Sequence, residues 1–197
     1  MDRAILVRHA ESEYNARGLI NGDPRIRNGL TPAGVEQAEK LGTILADEQI
    51  DLCVVTGLER TELTADIALE GRSIPRLVIE ELNDPAFGPF EGSVLERYRV
   101  WATGASSGDI PGRGGESRLE IVRRYVVGFR HVLARPESTV LVVAHSLPIS
   151  YAISAREQIG PRSRIGLTAY AMPYHFTRKD LDTAASVMQR WLSQPDW

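Results

Sequence analysis

The sequence predicts an α/β fold, a three-layer α/β/α sandwich built on a mostly parallel central sheet. Residues 4–7, 51–55 and 139–144 form short, nearly unbroken apolar runs, the pattern of strands buried on both faces. Amphipathic helical patterns lie between them, and that alternation puts helices on both sides of the sheet. The 197 residues suit one domain with a full core. The expected organisation is a single domain over residues 1–197, with small loop insertions at about 18–27 and 95–115.

Ala4, Ile5, Leu6 and Val7 read as a buried strand that ends at Arg8-His9. Thr31 and Pro32 then form a helix start, an N-cap hydroxyl followed by a proline that needs no N–H. Val35, Ala38, Leu41, Ile44 and Leu45 recur at helical spacing, which predicts a helix to about Glu48. Residues 51–55 read as the second strand, and 58–69 as a helix with Leu63, Ile67 and Ala68 on one side. Residues 77–79 read as a short strand. Pro85, Gly88, Pro89 and Gly92 mark 82–92 as a loop, and 95–103 reads as a short helix. The Gly-, Ser- and Pro-rich stretch 104–115 is expected to be a mobile loop beside a site. A long helix is expected over 116–133, then the strand 139–144, then a helix opened by Pro148. Residues 167–176 read as a strand. Residues 182–192 read as a helix, although Val187, Met188 and Trp191 also fit an edge strand.

Composition removes several function classes. The net charge of −3 shows no basic surplus, so no nucleic-acid partner is expected. Cys53 is the single cysteine, which excludes an internal disulfide and a cysteine zinc cluster, and its apolar neighbours mark it as a packed side chain. No apolar run approaches the roughly 18 residues of a membrane span. The N-terminus lacks the features of a signal peptide, so the expected location is cytoplasmic, with no membrane partner.

In parallel α/β folds ligands bind at the C-terminal ends of the strands. Two of the four histidines stand there: His9 after the first strand and His145 after the strand 139–144. His131 and His175 fall inside a helix and a strand and read as structural. Arg8 adjoins His9, and Arg60 opens a nearby helix. Guanidinium groups bind phosphoryl oxygens bidentately and stay charged. A neutral imidazole attacks phosphorus and forms a phosphohistidine, while a second, protonated imidazole donates to the same oxygens. Neither an H-E-x-x-H pair nor a carboxylate cluster accompanies the histidines, so no metal is expected. Gly114-Gly115 lacks the rest of a nucleotide loop, and no cofactor is expected. Trp101, Trp191 and Trp197 read as packing residues.

Arg8-His9-Ala10-Glu11-Ser12, continuing to Tyr14-Asn15, resembles the Arg-His-Gly motif of the histidine phosphatase superfamily, in its phosphoglycerate-mutase-like branch. Further segments are similar in order: Leu30-Thr31-Pro32-Ala33-Gly34, Leu58-Glu59-Arg60-Thr61, Phe87-Gly88-Pro89-Phe90-Glu91-Gly92, Gly114-Gly115-Glu116-Ser117 and Val143-Ala144-His145. The resemblance extends from residue 4 to about residue 155, and it implies the phosphoglycerate-mutase-like fold. It implies His9 as nucleophile, and Arg8, Arg60 and His145 as the phosphate pocket, with Asn15 as a further contact. Asp84 stands where the branch carries a glutamic acid, four residues before Gly88, and is the first candidate for proton donor. Glu81 and Glu91 are alternatives. Ala10 and Ser146 replace motif glycines. Ser146 either reaches the phosphate or caps the following helix.

The implied activity is a metal-independent phosphatase acting on a small phosphorylated metabolite. A phosphoglycerate mutase using the same site is the alternative, although the short chain between Asp84 and His145 leaves little room for the larger insertion of mutases. A non-catalytic phospholigand-binding protein is a third reading. Specificity is expected from residues 18–27 and 95–115, where Arg17, Arg25, Arg27, Arg97, Arg99 and Arg113 are available for further substrate charges.

Overall fold

The computed structural model describes all of residues 1–197. Five strands form one sheet: β1 (Arg3–Arg8), β2 (Leu52–Val55), β3 (Arg76–Val78), β4 (Thr139–Ala144) and β5 (Pro173–Thr177). Their order is β3-β2-β4-β1-β5. The first four are parallel, and β5 runs antiparallel against β1. The helices are α1 (Glu13–Ala16), α2 (Pro32–Ile44), α3 (Glu59–Ala68), α4 (Leu95–Gly104), α5 (Arg118–Leu133), α6 (Ser146–Arg156) and α7 (Arg178–Ser193).

The period-2 alternation of the strands produces the three layers. Leu6, Val54, Val140 and Val142 face one way and pack with α5, α6 and α7. Ile5, Val7, Cys53, Val55 and Val143 face the other way and pack with α2 and α3. Every residue of β2 and β4 is buried, which accounts for their unbroken apolar runs. Burial pushes the Cys53 thiol up to about 12, in keeping with a packed side chain. No helix is long and apolar enough to cross a membrane.

Four expectations shift. The helix starting at Pro32 is capped as expected, with the Thr31 hydroxyl accepting from Gly34 N–H at 2.9 Å. It ends at Ile44 rather than near Glu48, because Arg72 donates to the carbonyls of Leu45 and Glu48 and holds that turn outside the helix. α6 starts at Ser146, two residues before Pro148, with His145 as its N-cap residue. The proline sits in the first turn, where its missing N–H costs no helix bond. The loop over 82–92 starts from a short 3₁₀ turn at Glu80–Leu82 and contains a second at Gly88–Phe90. The strand expected over 167–176 covers only Pro173–Thr177. Residues 167–172 leave the sheet and cross above the end of β1, with Ala171 at a positive φ of 49°. The segment 182–192 belongs to α7, a helix whose buried face carries Leu181, Ala184, Ala185 and Met188.

Candidate active site

Strand register brings the two histidines together. Arg8 pairs with Ala144 across β1 and β4, and His9 N–H donates to the Ala144 carbonyl at 2.9 Å. The residues that follow each strand therefore emerge side by side. The ring centroids of His9 and His145 are 5.2 Å apart, edge to face. Both rings are buried, at 2% and 0% exposure.

Each ring is held in a set orientation. His9 Nδ1 lies 2.7 Å from the Ala10 carbonyl oxygen, which accepts only from a protonated nitrogen. Nε2 therefore carries the lone pair, and Arg60 Nε donates to it at 3.1 Å. His145 Nε2 is 2.9 Å from the Thr56 hydroxyl at the end of β2. That hydroxyl also contacts Thr61 at 3.1 Å. Burial, then Arg60, His145 and Arg8, push the His9 imidazole well below its ordinary value. Burial, then Arg60, Arg124 and Arg8, do the same to His145. Burial and the neighbouring cations thus work against the protonated His145 expected from sequence.

Arg60 occupies the centre. It is the second residue of α3, 3% exposed, and its NH2 donates to Asp84 Oδ2 at 2.7 Å and lies 3.3 Å from His145 Nδ1. Asn21 adds two acceptors, its side-chain oxygen at 3.1 Å and its carbonyl at 3.0 Å. The ligating atoms of His9, Asp84 and His145 lie within 4.8 Å of one another, a spacing that suits a metal ion. Arg60 already donates toward all three, so the guanidinium holds the position a cation would take.

Arg8 is the second guanidinium. Its NH1 donates to the Thr168 carbonyl at 2.7 Å, and its central carbon lies 3.8 Å from the centroid of the Tyr170 ring. Arg8 Nε is buried and has no hydrogen-bond partner. A buried N–H that no protein acceptor takes is available to the oxygen of an incoming anion.

Of the three acid candidates, Asp84 alone joins the cluster, 3.3 Å from His145 Nδ1. Its backbone is fixed by Arg124, which donates to the carbonyls of Glu81, Asn83 and Asp84 while paired with Glu116. Glu91 accepts from the N–H groups of Gly22 and Phe87 and ties two loops together. Glu81 lies 3.9 Å from His131 on the surface.

Two expected contacts fall elsewhere. Asn15 makes no hydrogen bond to the cluster; its side-chain oxygen accepts from Ser12 N–H and hydroxyl in a capping box at α1. Ser146 lines the cavity over the site, but its hydroxyl accepts from Thr168 N–H at 2.9 Å and does not cap α6. The sequence reading missed Thr56, Asn21, Thr168 and Tyr170. Thr56 follows a buried strand as His9 does, a positional signal that was available. The others lie in segments without a repeating pattern.

A cavity of about 370 Å³ opens over Arg8, His9 and Asp84. Its walls come from Ile20, from α4 and from residues 163–167, the last not anticipated. Of the six arginines available for further substrate charges or for solvating the loops, only Arg99 lines it. Arg25 and Arg27 pair instead with Asp23 and Glu59.

Residues 4–172 match the family described as the histidine phosphatase superfamily (branch 1). The chain is 32% identical over 187 residues to the adenosylcobalamin/alpha-ribazole phosphatase of Escherichia coli (strain K12), covering 88% of this chain and 84% of that protein. It is 31% identical over 170 residues to a 2,3-bisphosphoglycerate-dependent phosphoglycerate mutase of Cytophaga hutchinsonii, covering 80% and 78%. The crystal structure of the alpha-ribazole phosphatase from Shigella flexneri superposes with a TM-score of 0.71 at 27% identity, covering 88% of this chain and 89% of that one.

Proposed function

The chain belongs to branch 1 of the histidine phosphatase superfamily, and from that premise we propose that it hydrolyses small phosphate monoesters through a phosphohistidine formed on His9. It is an enzyme of this family. The observation that carries the mechanism is the His9 tautomer: the Nδ1 proton is tied to the Ala10 carbonyl, which leaves the lone pair on Nε2, held by Arg60 until the phosphoryl oxygens take over that donor.

In this mechanism the phosphoryl oxygens are bound by Arg60, by Arg8 through its unpartnered Nε, and by His145. Asn15 and Ser146 add polar contacts only after their present bonds to Ser12 and Thr168 rearrange. His9 Nε2 bonds to phosphorus as the ester P–O bond breaks, and Asp84 in its acid form gives a proton to the leaving oxygen. Asp84, now a carboxylate, takes a proton from water. The resulting nucleophile displaces phosphate from His9 and regenerates the free imidazole. Charge that builds on the transferred oxygens meets two fixed guanidiniums in a site shielded from water. No step calls for a metal. The reaction partner is a small phosphorylated metabolite in the cytoplasm, handled within one domain spanning residues 1–197.

The test is hydrolysis of p-nitrophenyl phosphate in the presence of chelator. Wild-type protein turns it over and His9→Ala does not; activity that survives in His9→Ala overturns the mechanism. A mutase is the second reading, favoured by the Cytophaga relative. Rapid isomerisation of 3-phosphoglycerate with a bisphosphoglycerate primer would put it first.

A further inference from the structure

The hydrolytic cluster accounts for Arg8 and Arg60 but leaves other cations of the adjoining cavity unexplained. Arg99, Arg118 and Arg164 line it, against one further carboxylate, Glu96. Arg99 lies 4.0 Å from Glu96, and Arg164 donates to the Thr103 hydroxyl. Arg118 has neither an ion pair nor a hydrogen-bonded carboxylate. Its neighbours are the phenols of Tyr151, Tyr98 and Tyr125, with a hydrogen bond to Tyr151 and no carboxylate among them. The nearby Glu116 is already taken by Arg124, in a two-pronged pair at 2.7 and 2.8 Å.

The place of Arg118 in the chain is also unfavourable for a cation. It is the first residue of α5, a 16-residue helix, directly after the N-cap Ser117. The positive end of a helix dipole repels a guanidinium and attracts an anion. A residue set against its local electrostatics, half-buried and facing a cavity, points to an external partner. The phosphoryl group on His9 already has Arg60, His145 and the adjacent Arg8 around it, so the partner of Arg118 in the same cavity is a second anion.

We propose that Arg118 is a specificity-determining residue that binds a second anionic group of the substrate, a carboxylate or a further phosphate, while the scissile phosphate sits on His9. The cavity between the two ends is lined by Phe87, Leu95, Tyr98, Leu147 and Ile165. The substrate class is therefore a phosphate monoester with an apolar or aromatic body and a second negative charge. This inference rests on the phosphatase reading and deepens it.

The test compares calorimetric binding of phenylphosphonate with that of its 3- and 4-carboxyl derivatives, ligands that need no turnover. Wild-type protein should bind at least one carboxylated ligand about tenfold to a hundredfold more tightly, the range of a charge-assisted hydrogen bond. In Arg118→Gln that ratio should fall toward one, and Arg118→Lys should retain part of it. A wild-type ratio near one for both derivatives overturns the proposal, as does a ratio that survives in Arg118→Gln. If Arg118→Gln does not fold, the wild-type ratio and Arg118→Lys still decide. Parallel assays with the matching phosphate esters separate the two readings. A binding ratio without any hydrolysis supports the anion site and removes only the phosphatase mechanism.

Discussion

Arg60 Nε lies 3.1 Å from His9 Nε2, so a guanidinium rests on the lone pair of the proposed nucleophile. The same side chain reaches Asp84 and His145. Removing it takes away a phosphate ligand and vacates a space bounded by three metal-binding atoms. Arg60→Ala should lower kcat/KM by about a hundredfold to a thousandfold, the size of a lost transition-state donor. It should also bind zinc more tightly than the wild-type protein does. Titration with zinc reads the second effect, and equal zinc binding by both proteins would refute the placement of Arg60.

Two imidazoles, each depressed by burial and by neighbouring cations, set a pH dependence. Both fall well below the 6.5 of a free imidazole in the folded chain. Unfolding releases them to bind protons once pH drops below that value. Their contribution to stability is complete above 6.5 and is lost as pH falls below it toward the folded values. Urea midpoints at about pH 7.5 and about pH 5.5 should show this loss, and His9→Gln should shrink it. The acid limb of kcat/KM should also lie below 6.5, because His9 keeps its lone pair there.

Asp84 should matter most when the leaving group is a poor one. A nitrophenolate departs without a proton, whereas an alkoxide needs one. Asp84→Asn should therefore lose about a hundredfold or more on an alkyl phosphate and far less on p-nitrophenyl phosphate. A uniform loss on both substrates would assign Asp84 to binding through Arg60 instead.

Tyr170 holds Arg8 from one side while the Thr168 carbonyl holds it from another. Tyr170→Leu should weaken binding of inorganic phosphate by about threefold to tenfold, matching a cation–π contact at a partly shielded site. Competitive inhibition by phosphate measures it, and Tyr170→Phe should restore most of the affinity.

Gly22 marks a close backbone approach. A Cβ there would stand 1.8 Å from the Pro85 carbonyl oxygen, next to Asp84. Gly22→Ala should destabilise the protein by about 1–3 kcal/mol and reduce turnover by displacing the acid. Urea denaturation and p-nitrophenyl phosphate assays report the two effects separately.

The parts of the site that were legible in the sequence are those that hang from buried strands. His9 and His145 follow apolar runs, and the pairing of Arg8 with Ala144 then fixes their neighbourhood. Arg60 and Asp84 were reached through motif order, which carries no distance; that Arg60 bridges them all is a property of the folded loops. Residues 167–172 misled because Thr168 and Tyr170 alternate with other types as a strand would. Their backbone is directed by tertiary bonds to Ser146 and Arg8, which leave no local pattern. Arg118 was hidden for a related reason. A cation at a helix start reads as solvated until its cavity and the absence of a carboxylate partner are seen.

The crossing of residues 167–172 over β1 has a bearing on heat inactivation. Ala171 N–H donates to the Arg8 carbonyl, and two residues later the chain becomes β5, which pairs only with β1. An outer strand with a single partner frays before the interior ones. Turnover should therefore fade on warming while the helical circular dichroism is still intact, since the first segment to loosen is also the one that steadies Arg8.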